Sequence, residues 1–303
     1  MPDFAVIDME TANADLASIC QIGIAVFRDH QLCETFKSLV NPCDYFSPVN
    51  VQIHGIDEEQ VQDAPVWREI YPEILARLEA GVVVSHTAFD RIALRKACIC
   101  NELPVPELTW LDSARVVRRT WPEFSHAGYG LSNVAANFGI SYEAHDALED
   151  AICAGRVLLK AVSDSGIGID GWLTRAGQPI SSIFPPASSP YAQGNGCTRS
   201  GNPEGDLYGE IVVFSGALSI PRREAADAAA AVGCEVDQGV TKNTTILVVG
   251  DQDVRHLVGH EKSAKHLKAE ALIKKGQPIR ILCEADFRRM ASLPDSSMHG
   301  AAR

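Results

Sequence analysis

From Ser165 to Asp206 the chain loses both helical and strand periodicity: "SGIGIDGW" and "FPPASSPYAQGNGCTRSGNPEGD" are dense in Gly, Pro and Ser. Such a stretch reads as a flexible linker, because it has neither an apolar face to bury nor a repeat to propagate. It divides 303 residues into two patterned stretches, each long enough to own a core. The expected organisation is a first domain over 1–164, a linker over 165–206, a second domain over 207–294 and a disordered tail over 295–303.

Before the linker, "FAVIDME", "QIGIAVFRD" and "QLCETFKSLVN" are β-branched or alternating runs with turn-like breaks, a three-stranded antiparallel start. "GVVVSH" is a short buried strand, and helical patterns follow over 68–79, 89–100, 112–120, 131–138 and 147–162. The sum is an α/β domain with a mixed sheet. After the linker, strand "EIVVFSG", helix "PRREAADAAAAVG", strands "CEVDQ" and "TTILVVG", helix 263–275, strand "IRILC" and a helix from Glu284 make a small unit. Strand, helix, strand at this spacing predicts a parallel sheet.

The net charge of −12 argues at first against nucleic acid, but its distribution is uneven. Residues 1–165 carry 24 Asp+Glu against 12 Lys+Arg, whereas residues 210–294 carry 11 against 12. The acidity therefore belongs to the first domain. Two basic groups stand out within it, Arg91, Arg95, Lys96 and Arg115, Arg118, Arg119. Nine cysteines without CxxC spacing indicate neither a disulfide framework nor a zinc site, and so a reducing, cytoplasmic setting. No apolar run approaches the roughly 20 residues that span a bilayer, and "MPDFAVIDME" lacks the order of a signal peptide.

The acids have a pattern. In "EAHDALEDA", Asp146 followed three residues later by Glu149 predicts the start of the helix at Asp146. Capping leaves His145, on the approaching loop, and Asp150, in the first turn, unexplained. In the first strand Phe4, Val6, Asp8 and Glu10 share one side, so two acids terminate an apolar stripe. Two like charges side by side are costly without a cation. Asp90 follows the buried run "GVVVSHTAF" and opens a helix. Asp8, Glu10, Asp90 and Asp150 form an all-oxygen ligand set that suits Mg2+ or Mn2+ and not zinc.

At "DMET", "HTAFD" and "HDALEDA" the chain resembles the DEDDh family of 3′–5′ exonucleases, the proofreading epsilon subunits of bacterial replicative polymerases and their relatives. "QIGIAV", "HGI" at 54–56 and "GLSNVAANFGI" support the resemblance. One departure is Thr87, where many members carry Asn. The resemblance implies a ribonuclease-H-like mixed sheet with flanking helices and two-metal hydrolysis of a terminal phosphodiester. Asp8, Glu10, Asp90 and Asp150 are the implied metal ligands, with Asp8 bridging two ions. His145 is the implied base for the attacking water. Thr11 and the backbone near Met9 would hold the 3′-terminal nucleotide, with Met9 or Phe89 against its base and His86 beside the substrate.

The later unit resembles a BRCT domain in "VVFSGAL", "REAADAAAAVGCEV", "GVTKNTTILVVGD", "SAKHLKAEAL" and "GQPIRILCEADF", with Phe287 where many members have Trp. That resemblance implies a phosphate cradle of Ser215, Gly216 and Lys268, with Thr241, Lys242 and Lys265 nearby. Its ligand would be a nucleic-acid 5′ phosphate, a phosphopeptide of a replication or repair protein, or nothing. The expected partner of the first domain is a nucleic-acid 3′ end, DNA ahead of RNA, gripped weakly and released readily. An exoribonuclease, or a scaffold that works through the BRCT-like unit, are the alternatives. No GxSxG elbow and no strand-linked GxGxxG occurs, which removes α/β-hydrolase and dinucleotide-binding readings.

Overall fold

The computed structural model describes residues 4–79, 81–126, 129–178, 197–202, 205, 207–250 and 263–292. The chain divides into two compact units, the first holding 4–12 and Leu16–Gln178, the second Asn13–Asp15 and the described residues from Cys197 on.

The first unit is built on a five-stranded sheet. Its strands are β1 (Phe4–Thr11), β2 (Ile19–Arg28), β3 (Gln31–Leu39), β4 (Val82–Ser85) and β5 (Thr109–Asp112), in spatial order β3-β2-β1-β4-β5. β1, β2 and β3 pair antiparallel, and β1, β4 and β5 pair parallel, so the sheet is mixed as expected. The helices are α1 (Pro48–His54), α2 (Glu58–Val61), α3 (Trp67–Leu78), α4 (Phe89–Cys100), α5 (Ser113–Thr120), α6 (Leu131–Asn137), α7 (Ala147–Ser165) and α8 (Ile169–Ala176). β2 is buried along nine of its ten residues, which requires cover on both faces.

The long helix α7 packs on β1 and β2. Two glycines permit the approach. A Cβ on Gly23 would meet the Ala147 carbonyl carbon at 2.2 Å, and one on Gly155 would meet the Phe27 ring at 2.3 Å. Four strand residues and eight helix residues both cover roughly 12–13 Å, so α7 runs along β2 with one glycine contact at its start and one midway along it. Phe27 stacks on Phe4 at 4.9 Å on the same face, continuing the apolar stripe that Asp8 and Glu10 end.

The linker expectation is corrected at both ends. Residues 169–176 form α8, whose Trp172 is fully buried, and the Arg119 guanidinium holds the Gln178 carbonyl. Gly166 ends α7 in the left-handed conformation and α8 then folds back. One aromatic anchor, Trp172, outweighs the glycines of "SGIGIDGW". At the far end, Arg199 bridges Val236 and the Asn202 amide donates to the Ala230 carbonyl, so this segment packs on the second unit. Residues 179–196 and the 295–303 tail lie outside the described residues.

The second unit has the parallel sheet expected: β6 (Ile211–Ser215), β7 (Glu235–Asp237), β8 (Ile246–Val249) and β9 (Arg280–Cys283), in order β7-β6-β8-β9. Helices α9 (Arg222–Ala231), α10 (Ala264–Ile273) and α11 (Glu284–Ser292) accompany it. Gly233, at φ 109, turns the chain after α9. No helix among the described residues is long and apolar enough to cross a membrane.

Candidate active site

Strand alternation sets Asp8 and Glu10 on one face of β1, where both stay half-buried while Ile7, Met9 and Thr11 are buried. Opposite Glu10 the pairing of β1 and β2 slips, so that Cys20 is the extra residue between Gln21 and Ile19. A bulge re-aims the strand end, and the buried Cys20 thiol is pushed well up by burial first and Glu10 second.

α7 brings the third acid. Asp146 is the N-cap, and its Oδ1 accepts from the amides of Leu148 at 3.1 Å and Glu149 at 3.3 Å. The Ala147 amide donates to the Gln21 side chain at 2.8 Å, tying the helix start to β2. Asp150 then meets the strand acids, and oxygens of Asp8, Glu10 and Asp150 lie within 4.8 Å of one another. Asp90, 2% exposed, opens α4 from beneath, and its Oδ1 accepts from the Met9 amide at 3.0 Å. The four predicted acids are thus brought around one strand end, three as a tight cluster and Asp90 fastened between the two strand acids. Hard carboxylate oxygens, crowded and unmixed with Cys or His, fit Mg2+ or Mn2+.

His145 precedes the cap with φ 67, and its amide donates to Asp150 Oδ2 at 2.7 Å. A non-glycine residue in that region is uncommon and marks a constrained loop. His54, from the "HGI" motif, accepts the Ile56 amide on Nδ1 at 3.0 Å and so donates from Nε2 to the Thr11 carbonyl at 3.1 Å. Burial pulls the His54 pKa down to about 4, the Thr11 carbonyl opposing and His145 adding to the fall.

The substrate-side residues named by the resemblance are buried or engaged within the chain. The Met9 amide is engaged by Asp90, and the Thr11 carbonyl by Asn50 at 2.8 Å and by His54. His86 is buried, bonding Ser113 Oγ at 2.9 Å and the Tyr129 carbonyl at 2.8 Å; it ties loops together beneath the site. The side chains of Met9, Thr11 and Phe89 are also buried, Met9 because it points to the opposite face of the sheet from the acids. Arg115 and Arg118 are buried rather than forming a solvated basic face.

Sequence reasoning passed over Lys37, Gln21, Gly23 and Tyr142. Lys37 and Gly23 stand in one row of the sheet with Asp8, and Lys37 forms an ion pair with Asp146 Oδ2. Tyr142 bonds Ser132 Oγ at 3.0 Å, and its hydroxyl is held well above the ordinary tyrosine range by burial first and by Asp150 second. No motif marks Lys37 or Tyr142, and "QIGIAV" marks Gln21 and Gly23 without revealing their contacts; the strand register could have found the Asp8–Gly23–Lys37 row. All nine cysteines are free.

In the second unit Ser215 Oγ lies 2.6 Å from Ser263 Oγ, the N-cap of α10. The lysine beside it is Lys265, which donates to the Phe214 carbonyl at 2.9 Å; Lys268 is exposed one turn further on. Arg222 donates to Phe214 and Gly216 carbonyls, both at 2.6 Å. Burial first, and Arg222 second, lower the Lys265 pKa. Thr241 builds a turn with Thr244 and Asn243.

Clustered carboxylates at the end of a central strand are the kind of ligand set that cation-dependent hydrolases use. The exonuclease family model RNase_T matches residues 5–158, just over half of the chain, and the chain belongs to this family. Its first unit is an exonuclease domain. The chain is 30% identical over 162 residues to "DNA polymerase III PolC-type" of Caldanaerobacter subterraneus subsp. tengcongensis, covering 52% of this chain and 11% of the polymerase. It is 29% identical over 166 residues to "3′-5′ exonuclease DinG" of Staphylococcus aureus, covering 53% of this chain and 18% of that protein. The chain therefore spans less than a fifth of these curated relatives. Among solved structures, exonuclease X in complex with 5′ overhanging duplex DNA is 22% identical with a TM-score of 0.48, over 57% of this chain and 99% of that one.

Proposed function

We propose that the chain is a Mg2+- or Mn2+-dependent 3′–5′ exonuclease that releases nucleoside monophosphates from single-stranded DNA ends. The observation that carries this reading is the convergence of Asp8, Glu10 and Asp150 within 4.8 Å at the end of β1, inside the segment that matches the exonuclease family. The DinG relative's name supports the 3′–5′ polarity and the PolC relative's name supports DNA.

Asp8, Glu10 and Asp150 would hold the cations, with the second oxygen of Asp90 completing the set. When bound, such ions stabilise charge developing on the phosphate and on the leaving oxygen. His145, on the loop next to Asp150, takes the proton from the attacking water. The His145 amide orients the Asp150 carboxylate, and Asp90 holds the strand between the other two acids through the Met9 amide. Tyr142 shields Asp150 on its α6 side. The strongly acidic first unit predicts weak binding of long nucleic acid and distributive digestion.

The second unit serves, in the same reading, as a BRCT-like phosphate-binding module that brings the exonuclease to a DNA 5′ phosphate or to a replication or repair protein. Ser215, Gly216 and Lys268 form its expected cradle, with the cations of Lys265 and Arg222 beside Phe214 adding to a setting that suits an anion. Digesting 5′-labelled DNA and RNA oligomers of one sequence with Mg2+ or Mn2+ tests the substrate. Stepwise shortening of DNA from its 3′ end, faster than of RNA, supports the proposal; RNA shortened faster makes the enzyme an exoribonuclease, and release of the 5′ label as mononucleotide overturns the polarity.

A further inference from the structure

The three anchors of the His145 loop are unequal. Its own amide is bound to Asp150, and the following Ala147 amide is bound to Gln21 on β2. The third anchor comes from across the sheet. Asp8 on β1 pairs with Gly23 on β2, which pairs with Lys37 on β3, so the three share one face. Gly23 has no side chain there, and the start of α7 fills its place. Lys37 reaches the same helix start from the far side and pairs with Asp146 Oδ2 while Asp146 Oδ1 caps α7. One carboxylate thus joins the edge strand to the helix that carries Asp150, immediately after a histidine held at φ 67.

We infer that Lys37 is a positioning residue for hydrolysis: by holding Asp146 it fixes the left-handed His145 backbone beside Asp150. This assignment rests on the exonuclease reading of the site. A lysine with 42% of its side chain exposed, against an aspartate at 20%, adds little to global stability. Its effect is therefore expected on the placement of His145 and not on folding. Replacing it leaves Asp146 still capping α7, but frees the loop to relax from a conformation that L-residues avoid.

The test uses the full chain, Mg2+ and a 5′-labelled single-stranded DNA oligomer, with turnover, KM and Tm measured for wild type, Lys37→Met, Lys37→Arg and Asp150→Ala. The expected result for Lys37→Met is a fall in kcat of about 10–100-fold, the scale of a group misplaced by an ångström, with KM and Tm unchanged. Lys37→Arg, which keeps a cation within reach of Asp146, recovers most of the turnover. Wild-type kcat in Lys37→Met overturns the inference, and so does a raised KM at unchanged kcat, which would assign Lys37 to the substrate. Should Lys37→Met fail to fold, Lys37→Gln carries the same comparison. An inactive Asp150→Ala beside an unaffected Lys37→Met leaves the exonuclease reading standing and sinks the inference alone; a fully active Asp150→Ala sinks both.

Discussion

Gly23 lies directly beneath Ala147, so closely that a Cβ at position 23 would stand 2.2 Å from the Ala147 carbonyl carbon and 2.3 Å from the Leu148 nitrogen. The backbone of α7 cannot yield locally, because its first amides are already engaged by Asp146 and Gln21. Gly23→Ala is therefore expected to lift the start of α7, carrying Asp150 away from Asp8. The cost in stability should be about 1–3 kcal/mol, as for overpacking elsewhere, with turnover lowered about 100-fold. Urea unfolding and steady-state digestion of a DNA oligomer check the two effects. Wild-type turnover in Gly23→Ala would show that the helix start is not held by this contact.

His145→Ala should lower kcat by about 10²–10⁴-fold, the usual worth of a general base. Calorimetric titration with Mn2+ should change little, since Asp8, Glu10 and Asp150 remain. A loss of Mn2+ binding equal to that of Asp150→Ala would make His145 a ligand instead.

Thr87 occupies φ 87, a region that a β-branched residue adopts only under constraint and that Asn tolerates better. Its amide donates to Asp112 and its carbonyl accepts from Ser85, which pins the backbone there. Thr87→Asn should raise stability by about 1 kcal/mol, a Tm increase of about 2–4 °C. A lower Tm would mean that the threonine methyl contributes packing that outweighs the strain.

His54 is neutral in the fold, with a pKa lowered from 6.5 to about 4. Its contribution to stability is fully present above pH 6.5 and is lost as pH falls through that value toward 4, because the unfolded chain takes up the proton first. The loss should be at most about 3 kcal/mol. Unfolding free energies at pH 7 and pH 4.5 for wild type and His54→Gln test this. A wild-type slope retained in the variant would assign the pH dependence to other groups.

Much of this was legible in the sequence because side-chain period and chemistry coincide. Alternation in "FAVIDMET" put Asp8 and Glu10 on one face, and Asp146 marked the helix start that carries Asp150. The three-strand start, five of the helices and the parallel second sheet follow from the same periodicities. The short α1 and α2 escaped, since a seven-residue and a four-residue helix leave no periodic signal, as did β5, half exposed at a sheet edge. The helix at 169–176 was hidden by glycines that end one helix and cap the next. The internal hydrogen bonds of His86 and of the Met9 amide were hidden for another reason: motif order does not reveal which way a side chain or an amide is already committed. Lys37 was invisible because it acts through strand register and not through its neighbours in sequence.

The most direct test of the central claim is the Mg2+-dependent release of 3′-terminal nucleotides from a 3′-labelled DNA oligomer by wild type and by Asp8→Asn. The account predicts release by wild type that chelator abolishes, and none by Asp8→Asn although its unfolding temperature is at least that of wild type, since one of three crowded charges is gone. Equal release by the two proteins, or release that persists in chelator, would contradict it.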